Sequence, residues 1–420
     1  MPKNTKGKIC ILACVFWPIY PGFGGRHAYV MAENLAKAGY DVHIITTFPI
    51  DLNRKRNFFR QKLLSREDVG GMKIYRVPSL LPTGGGLRQK SAFYISFMLT
   101  SFMSLPFVRG SNFILGLHPP APFLILPSVI FSRILRAKYI LRVTDLWPDV
   151  VFDFDLAKSN FVRKIVIIVS KTAYRLADHI MAFTPQIEER IKAYGVSGKK
   201  ISMVEMAVDT DLFRPAPEPL TEAQDSRLPN PKDKFVVLYS GAFALTYDFD
   251  LLLEAAKKLE DQNILFVLLG DGDAKSEILR KIESLRLDNV FLPTPVSRPE
   301  DVARFINYSD VCVIPLKPQM ITSTLTRPSK VFEFWACGKP VLCCTKGELK
   351  DLIEQSGAGI VLEPGDLEAF TQAIKCLSND PGRTSEMGEK AREFVLQRFS
   401  YERLKWKLGQ MFDRLSLNTK

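Results

Sequence analysis

The chain has 420 residues, 46% of them hydrophobic and 24% charged, a profile that excludes a disordered polypeptide and exceeds what one core organises. Single cores stop growing near about 250 to 300 residues, so two domains are expected. The formal charge of +12 is uneven: residues 1–200 carry 29 Lys and Arg against 12 Asp and Glu, the remainder 28 against 33. A basic half beside a mildly acidic one fits a domain that meets a polyanion, whether nucleic acid, phosphorylated substrate or anionic lipid, or a merely solvated basic face. Seven cysteines, without a C-x-x-C pair and mostly within apolar runs, read as buried thiols in a reducing compartment.

In chain order, the apolar run after the basic amino terminus reads as a first core strand, 9–16, because glycines and not a cleavage site follow it. Further strands are expected at 42–46, 74–77, 113–117, 139–143, 179–183 and 201–204, with helices at 28–38, 121–136, 161–177 and 186–194. Short β-branched runs alternating with helical stretches indicate parallel strands joined by crossover helices. Two stretches lack charge altogether, 93–108 and 113–131. A spanning helix needs about 20 apolar residues, and Pro119, Pro120, Pro122 and Pro127 divide the second stretch into strand, loop and helix. The first is either a core helix or one lying partly in a bilayer surface, flanked by Arg88, Lys90 and Arg109.

Alternation breaks at 214–234, where five prolines and many polar residues mark a linker. It restarts with strands at 235–239, 264–269, 311–314 and 341–344 and helices at 249–259, 274–285 and 329–336, and helices at 367–377, 383–398 and 401–415 close the chain. The fold class is therefore α/β: two tandem Rossmann-like, doubly wound parallel-sheet domains with a cleft between them. The expected boundaries are 1–213 for the first domain, 214–234 for the linker, 235–398 for the second domain and 399–420 for a helix packing back toward the first.

The loop 18–27 (PIYPGFGGRH) follows the first strand, and Gly22, Gly24 and Gly25 allow backbone N–H groups to approach an anion. It lacks G-x-G-x-x-G spacing, and no acidic residue ends the second strand, so a dinucleotide cofactor is disfavoured. In 324–342 (TLTRPSKVFEFWACGKPVL), Pro328 suits a first helical turn, Ser329 and Lys330 sit where phosphate is attracted, and Glu333 suits a ribose diol. Asp271 and Asp273 spell D-x-D but end a strand in a glycine turn, which disfavours a metal role, and the four histidines are too scattered for a metal cluster. His118 ends a strand facing the expected cleft, suited to orienting a phosphate or moving a proton, or to a structural role. Asp149 anchors a loop.

The order GFGGRHAYVMAENLAKAGYDVHIIT, VTDLWPDVV, VDTDLFRP, LYSGAF, LLGDGD and PSKVFEFWACGKPVL resembles the family-4 glycosyltransferases of the GT-B fold over nearly the whole chain. It is most similar to the bacterial branch that builds O-antigen and capsule, the N-acetyl-L-fucosaminyltransferase-like members. The resemblance implies transfer of a sugar from a nucleoside diphosphate, with UDP favoured, to a lipid-diphosphate-linked glycan, with retention of configuration and without metal or other cofactor. It implies that Gly24 and Gly25 lie near the donor phosphates, that Ser240 and Gly241 form a turn facing the diphosphate, and that Arg327, Ser329, Lys330 and Glu333 bind the donor. It places Asp145 on the acceptor side near the reacting centre. It further implies a cytoplasmic protein peripheral to the inner face of the membrane, with an anionic membrane surface as partner and no nucleic acid. Three departures stand out. Leu325 replaces the first glutamate of the family's E-x7-E, cations are missing after Gly241, and Met206 and Ala207 replace Asn-Gly before VDTDLF. They leave two rivals open: a UDP-sugar 2-epimerase-like enzyme, and an inactive nucleotide-sugar-binding scaffold.

Overall fold

The computed structural model describes residues 5–16, 23–49, 61–80, 87–117, 122–153, 159–216, 234–296, 298–318 and 327–417. It divides into two compact units, Met1–Glu205 with Leu404–Lys420, and Met206–Arg403. The expected linker 214–234 lies largely outside the described residues.

The first unit is built on an eight-stranded sheet of order β3-β4-β2-β1-β5-β6-β7-β8. Its strands are β1 (Lys8–Leu12), β2 (Asp41–Thr47), β3 (Ser65–Val69), β4 (Met72–Val77), β5 (Phe113–Gly116), β6 (Lys138–Val143), β7 (His179–Ala182) and β8 (Ile201–Met203). All neighbouring pairs are parallel except β3 with β4. Parallel order requires crossover helices, and their cover buries both sheet faces, which is why the central strands read as unbroken apolar runs. The winding direction changes between β1 and β5, and in such sheets ligands bind outside the carboxyl ends of the strands at that switch.

The exception has a local cause. Gly70 and Gly71 both take positive φ, 59° and 80°, the two-residue turn that hairpins favour, and β3 folds back on β4 with Val69 opposite Met72. β3 (SREDV) alternates between half-buried and exposed positions as an edge strand, so its polar sequence hides it.

Where a loop was expected at 18–27, a helix already begins at Phe23 (Phe23–Lys37), so Gly24 and Gly25 sit in its first turn. The uncharged stretch 93–108 is helical throughout, as an α-helix (Leu87–Ser101) running into a 3-10 segment (Phe102–Val108).

The helix Tyr401–Leu417 runs into the first unit, burying Leu404, Leu408, Met411 and Phe412. Phe412 packs on Phe113 and Tyr40, with ring centroids 5.0 and 5.5 Å away. Asp413 accepts hydrogen bonds from Lys6 Nζ (2.8 Å) and Tyr40 Oη (2.7 Å).

The second unit carries a six-stranded parallel sheet of order β11-β10-β9-β12-β13-β14. These are β9 (Phe235–Ser240), β10 (Ile264–Leu269), β11 (Val290–Phe291), β12 (Val311–Pro315), β13 (Val341–Cys344) and β14 (Gly359–Leu362). Residues 206–216 join this unit, not the first: Phe213 is fully buried in its core and Arg392 donates to the carbonyls of Thr210 and Phe213. The first unit thus ends at Glu205, short of residue 213. Helices Pro299–Tyr308 and Glu348–Ser356 and strand β14 complete the alternation where the sequence pattern was too polar or too short to show it. Six cysteines are buried free thiols, and Cys376, on the helix Leu367–Asn379, is exposed.

Candidate functional site

In the second unit, helix Lys330–Ala336 starts beside the end of β9. Lys330 is only 8% exposed, and its Nζ has no hydrogen-bond partner. It lies 4.1 Å from the ring centroids of both Tyr239 and Tyr247. Two aromatic faces offset part of the cost of burying an ammonium, each by roughly 0.5 to 2 kcal/mol, but they do not neutralise it. Burial therefore lowers the amine's pKa to about 7, with the nearby Glu333 carboxylate acting in the opposite direction.

Gly241 makes room for this amine. Its φ is +139°, and a Cβ there would stand 2.6 Å from Lys330 Nζ. The Gly241 N–H already donates to the Leu269 carbonyl (2.9 Å), so its contribution is the missing side chain and not an amide aimed at a ligand. Ser240, the last residue of β9, is buried. Ser329 caps the helix in αR geometry without a side-chain capping bond and is half-buried, as is Glu333 one turn on. Arg327 is committed elsewhere: its Nε and Nη2 donate to the buried Glu348 carboxylate at 3.1 and 2.7 Å. The charge expected to be shared between Arg327 and Lys330 is thus paired at one and unpaired at the other. Leu325 lies outside the described residues, and Asp271 accepts from Lys275 Nζ (3.2 Å) and the Gly272 N–H (2.9 Å).

In the first unit, Asp145 follows β6, and Thr144 Oγ1 donates to its carboxylate at 3.2 Å. Surrounding protein raises the Asp145 pKa and the Thr144 bond lowers it; because the residue keeps solvent contact, water limits the rise. The loop that carries it is locked from below. Tyr174 Oη donates to the Trp147 carbonyl (2.7 Å) and accepts from the Trp147 N–H (3.2 Å). Asp149, buried, accepts from Arg190 Nη2 (2.9 Å) and Tyr194 Oη (2.8 Å), and the Tyr174 and Tyr194 rings stack with an interplanar angle of 4°. Asp149 is an anchor, as its sequence position suggested. Gly25 is buried in the first turn of helix Phe23–Lys37, with Gly24 before it in the same turn. His118 lies outside the described residues. Among the described residues no group of three or more His, Cys, Asp or Glu could hold a metal ion.

Two family models divide the chain between them: Glycosyltransferase Family 4 matches residues 24–212, and Glycosyl transferases group 1 matches residues 221–394. The chain is a GT-B glycosyltransferase of family 4. Among its relatives is the glycosyl transferase WcaI of Escherichia coli (strain K12), whose name assigns it to colanic acid biosynthesis. It is 22% identical over 380 residues, 88% of this chain and 91% of the relative. Two solved structures share the fold: sucrose-phosphate synthase from Thermosynechococcus elongatus, and Anabaena HepE crystallised with UDP. The first has a TM-score of 0.77 at 20% identity, covering 99% of this chain and all of the other; the second has 0.71 at 13%, covering 97% and all of the other.

The residues of this glycosyltransferase that sequence motifs missed are supports. Tyr239 and Tyr247 hold Lys330, Glu348 holds Arg327, and Tyr174 holds the Asp145 loop. Tyr239 belongs to an apolar strand, Tyr174 and Glu348 to helices and Tyr247 to a loop, none within a motif, so spacing alone gives no signal. Lys330→Met should stabilise the unliganded protein. With the folded pKa near 7 and the ordinary value of an unfolded lysine at 10.5, the penalty is full below pH 7 and vanishes as pH rises past that ordinary value. Thermal melts should show the largest gain below pH 7, and a loss of stability there would contradict the assignment.

Proposed function

We propose that this glycosyltransferase transfers a sugar from a nucleoside diphosphate, UDP before other carriers, to a lipid-diphosphate-linked glycan of a cell-surface polysaccharide, with retention of configuration. The observation that carries the donor reading is the buried, unpartnered Lys330 ammonium, for which a diphosphate is the missing counter-charge. In this reading Lys330 stabilises the charge that develops on the departing diphosphate, in a site where no reorganisation is needed at the moment of reaction. As the anomeric C–O bond breaks and the acceptor oxygen bonds to that carbon, the acceptor's proton passes to a diphosphate oxygen on the same face. Glu333 accepts from the ribose diol, Gly241 leaves the space that Lys330 occupies, and Asp145 positions the acceptor. WcaI's name and the UDP found with HepE point the same way, and the stereochemistry and lipid-linked acceptor rest on the family resemblance.

UDP-, GDP- and dTDP-sugars should be compared for thermal stabilisation, since a ligand at 100 times its dissociation constant adds about 2.7 kcal/mol. The UDP series should stand out, Glu333→Ala should weaken it, and product should form only with an acceptor present. An epimerised UDP-sugar formed without acceptor, as opposed to slow hydrolysis, would replace this reading with an epimerase, and binding without any turnover would replace it with a scaffold.

The partner surface is proposed to be an anionic membrane at the inner face of the cytoplasmic membrane. Ser91–Val108 has a mean hydropathy of 1.5 and is long and apolar enough to cross a bilayer, though only 28% of it is buried. It packs beside helix Pro122–Leu135, which packs on Asn160–Leu176, and exposed apolar side chains run across all three: Leu99 (62%), Ile134 (56%), Phe161 (73%) and Ile168 (64%). Residues 69–144 contain nine Lys and Arg and no Asp or Glu; Arg76 and Arg142 among them are buried, whereas Arg109, Arg133 and Arg136 are exposed. Basic residues beside an exposed apolar face suit an interfacial contact with anionic lipid, strengthened by about 1 kcal/mol per basic residue near the surface. Vesicles rich in phosphatidylglycerol should bind the protein and release much of it in high salt, and Leu99→Asp with Ile168→Asp should weaken binding. Equal binding to neutral vesicles, or none to anionic ones, would remove the membrane from the account.

A further inference from the structure

The first unit holds a second unpaired cation. Arg142 lies on β6 opposite Met181 of β7, one residue from the carboxyl end of the strand. It is 7% exposed, its Nε has no hydrogen-bond partner, and among the described residues no carboxylate pairs with it. Burial alone lowers its pKa, to about 10, with no opposing acid. The other deeply buried arginine of this sheet, Arg76, is treated differently: its Nε donates to Glu67 at 2.8 Å and its Nη1 to the Thr47 carbonyl at 3.1 Å. Arg76 Nη2 also lacks a partner, but its charge is met by the Glu67 carboxylate, whereas that of Arg142 is not.

Arg142 acts on a second group beside it. His27, in the second turn of helix Phe23–Lys37, is pushed down to about 3 first by burial, then by Arg142, then by Arg26. The imidazole therefore stays neutral at physiological pH, and the positive charge of Arg142 and Arg26 that keeps it so, with the amino end of that helix, favours an anion. Helix Phe23–Lys37 follows β1, which β5 separates from β6, and His27 lies within electrostatic reach of Arg142 near the carboxyl end of β6, the side on which an open α/β sheet binds its ligand.

We propose that Arg142, beside His27 and the first turn of helix Phe23–Lys37, is a binding site for an oxyanion, phosphate or carboxylate, carried by the molecule that the first unit accepts. A guanidinium with a free edge matches either group through paired N–H donors. The assignment of that molecule as the acceptor rests on the proposed transfer reaction; the anion site itself does not. The source of the anion divides in two: the diphosphate of a lipid carrier, or the carboxylate of an acidic sugar in the glycan.

The test uses the full chain with UDP present in excess, so that the second unit's phosphate site is filled, and titrates inorganic pyrophosphate and D-glucuronate by calorimetry. Wild type should bind at least one of them. Arg142→Gln should weaken that binding by roughly tenfold or more, Arg142→Lys should retain part of it, and UDP affinity should be the same in all three. Preference for pyrophosphate assigns the site to the lipid diphosphate; preference for glucuronate assigns it to an acidic sugar. Should Arg142→Gln fail to fold, the Arg142 Nε–H resonance, assigned by its loss in Arg142→Lys, carries the same decision, because it must shift when the anion is added. Wild type that takes neither anion, or Arg142→Gln that binds as wild type does, overturns the proposal. Failure of UDP to bind would count against the donor reading and leave this one standing.

Discussion

A buried ammonium that nothing neutralises is the constraint around which the second unit is arranged. Lys330 is enclosed by Tyr239 from β9, Tyr247 from the loop after it, and the bare backbone of Gly241. Each of these positions follows from the amine. A side chain at Gly241 would collide with it, and a carboxylate in place of either tyrosine would satisfy the charge and leave nothing for a ligand to supply. The surrounding sheet makes this tolerable: β10 is buried along its whole length, and tightly packed apolar strands hold the lysine where it would otherwise turn toward water. In the proposed function, stability given up locally is recovered when the anion binds.

The same logic separates neighbouring charges that look alike in sequence. Arg327 and Lys330 stand three residues apart, yet Arg327 is spent on Glu348 and braces the chain just before the helix, while Lys330 remains available. In the first unit, Asp145 and Asp149 stand four apart. Asp149 is held by Arg190 and Tyr194, and through the Tyr174 clamp on Trp147 the loop presents Asp145 to solvent. One member of each pair fixes geometry, and the other is the one to which the proposed reaction gives a role.

Much of this was legible in the sequence because parallel sheets leave a strong pattern. The central strands are buried on both faces and appear as continuous apolar runs, so β1, β2, β5, β6, β9, β10, β12 and β13 could all be placed. What escaped was weakly patterned: β3, a polar edge strand closed by Gly70 and Gly71, β11, only two residues long, and β14, whose four residues are all only half-buried. The helix start at Phe23 was displaced because glycines signal a loop until the helical turn containing them is seen. Lys330 was legible from its position at a helix start behind Pro328. Its unpaired state was not, because pairing depends on Glu348, Tyr239 and Tyr247, which are remote in sequence. Arg142 carried no motif at all, and only the absence of a partner within the folded sheet distinguishes it from Arg76.

The central claim, that the Lys330 amine awaits a diphosphate, is tested most directly by the protons that move when UDP binds. At a pH one to two units above the amine's value of about 7, the empty site holds a neutral lysine, whereas a bound diphosphate favours the charged form. Calorimetric titration with UDP in buffers of different ionisation enthalpy should therefore show uptake of about one proton, absent in Lys330→Met. UDP binding without proton uptake in the wild-type protein, or with equal uptake in Lys330→Met, would contradict the account.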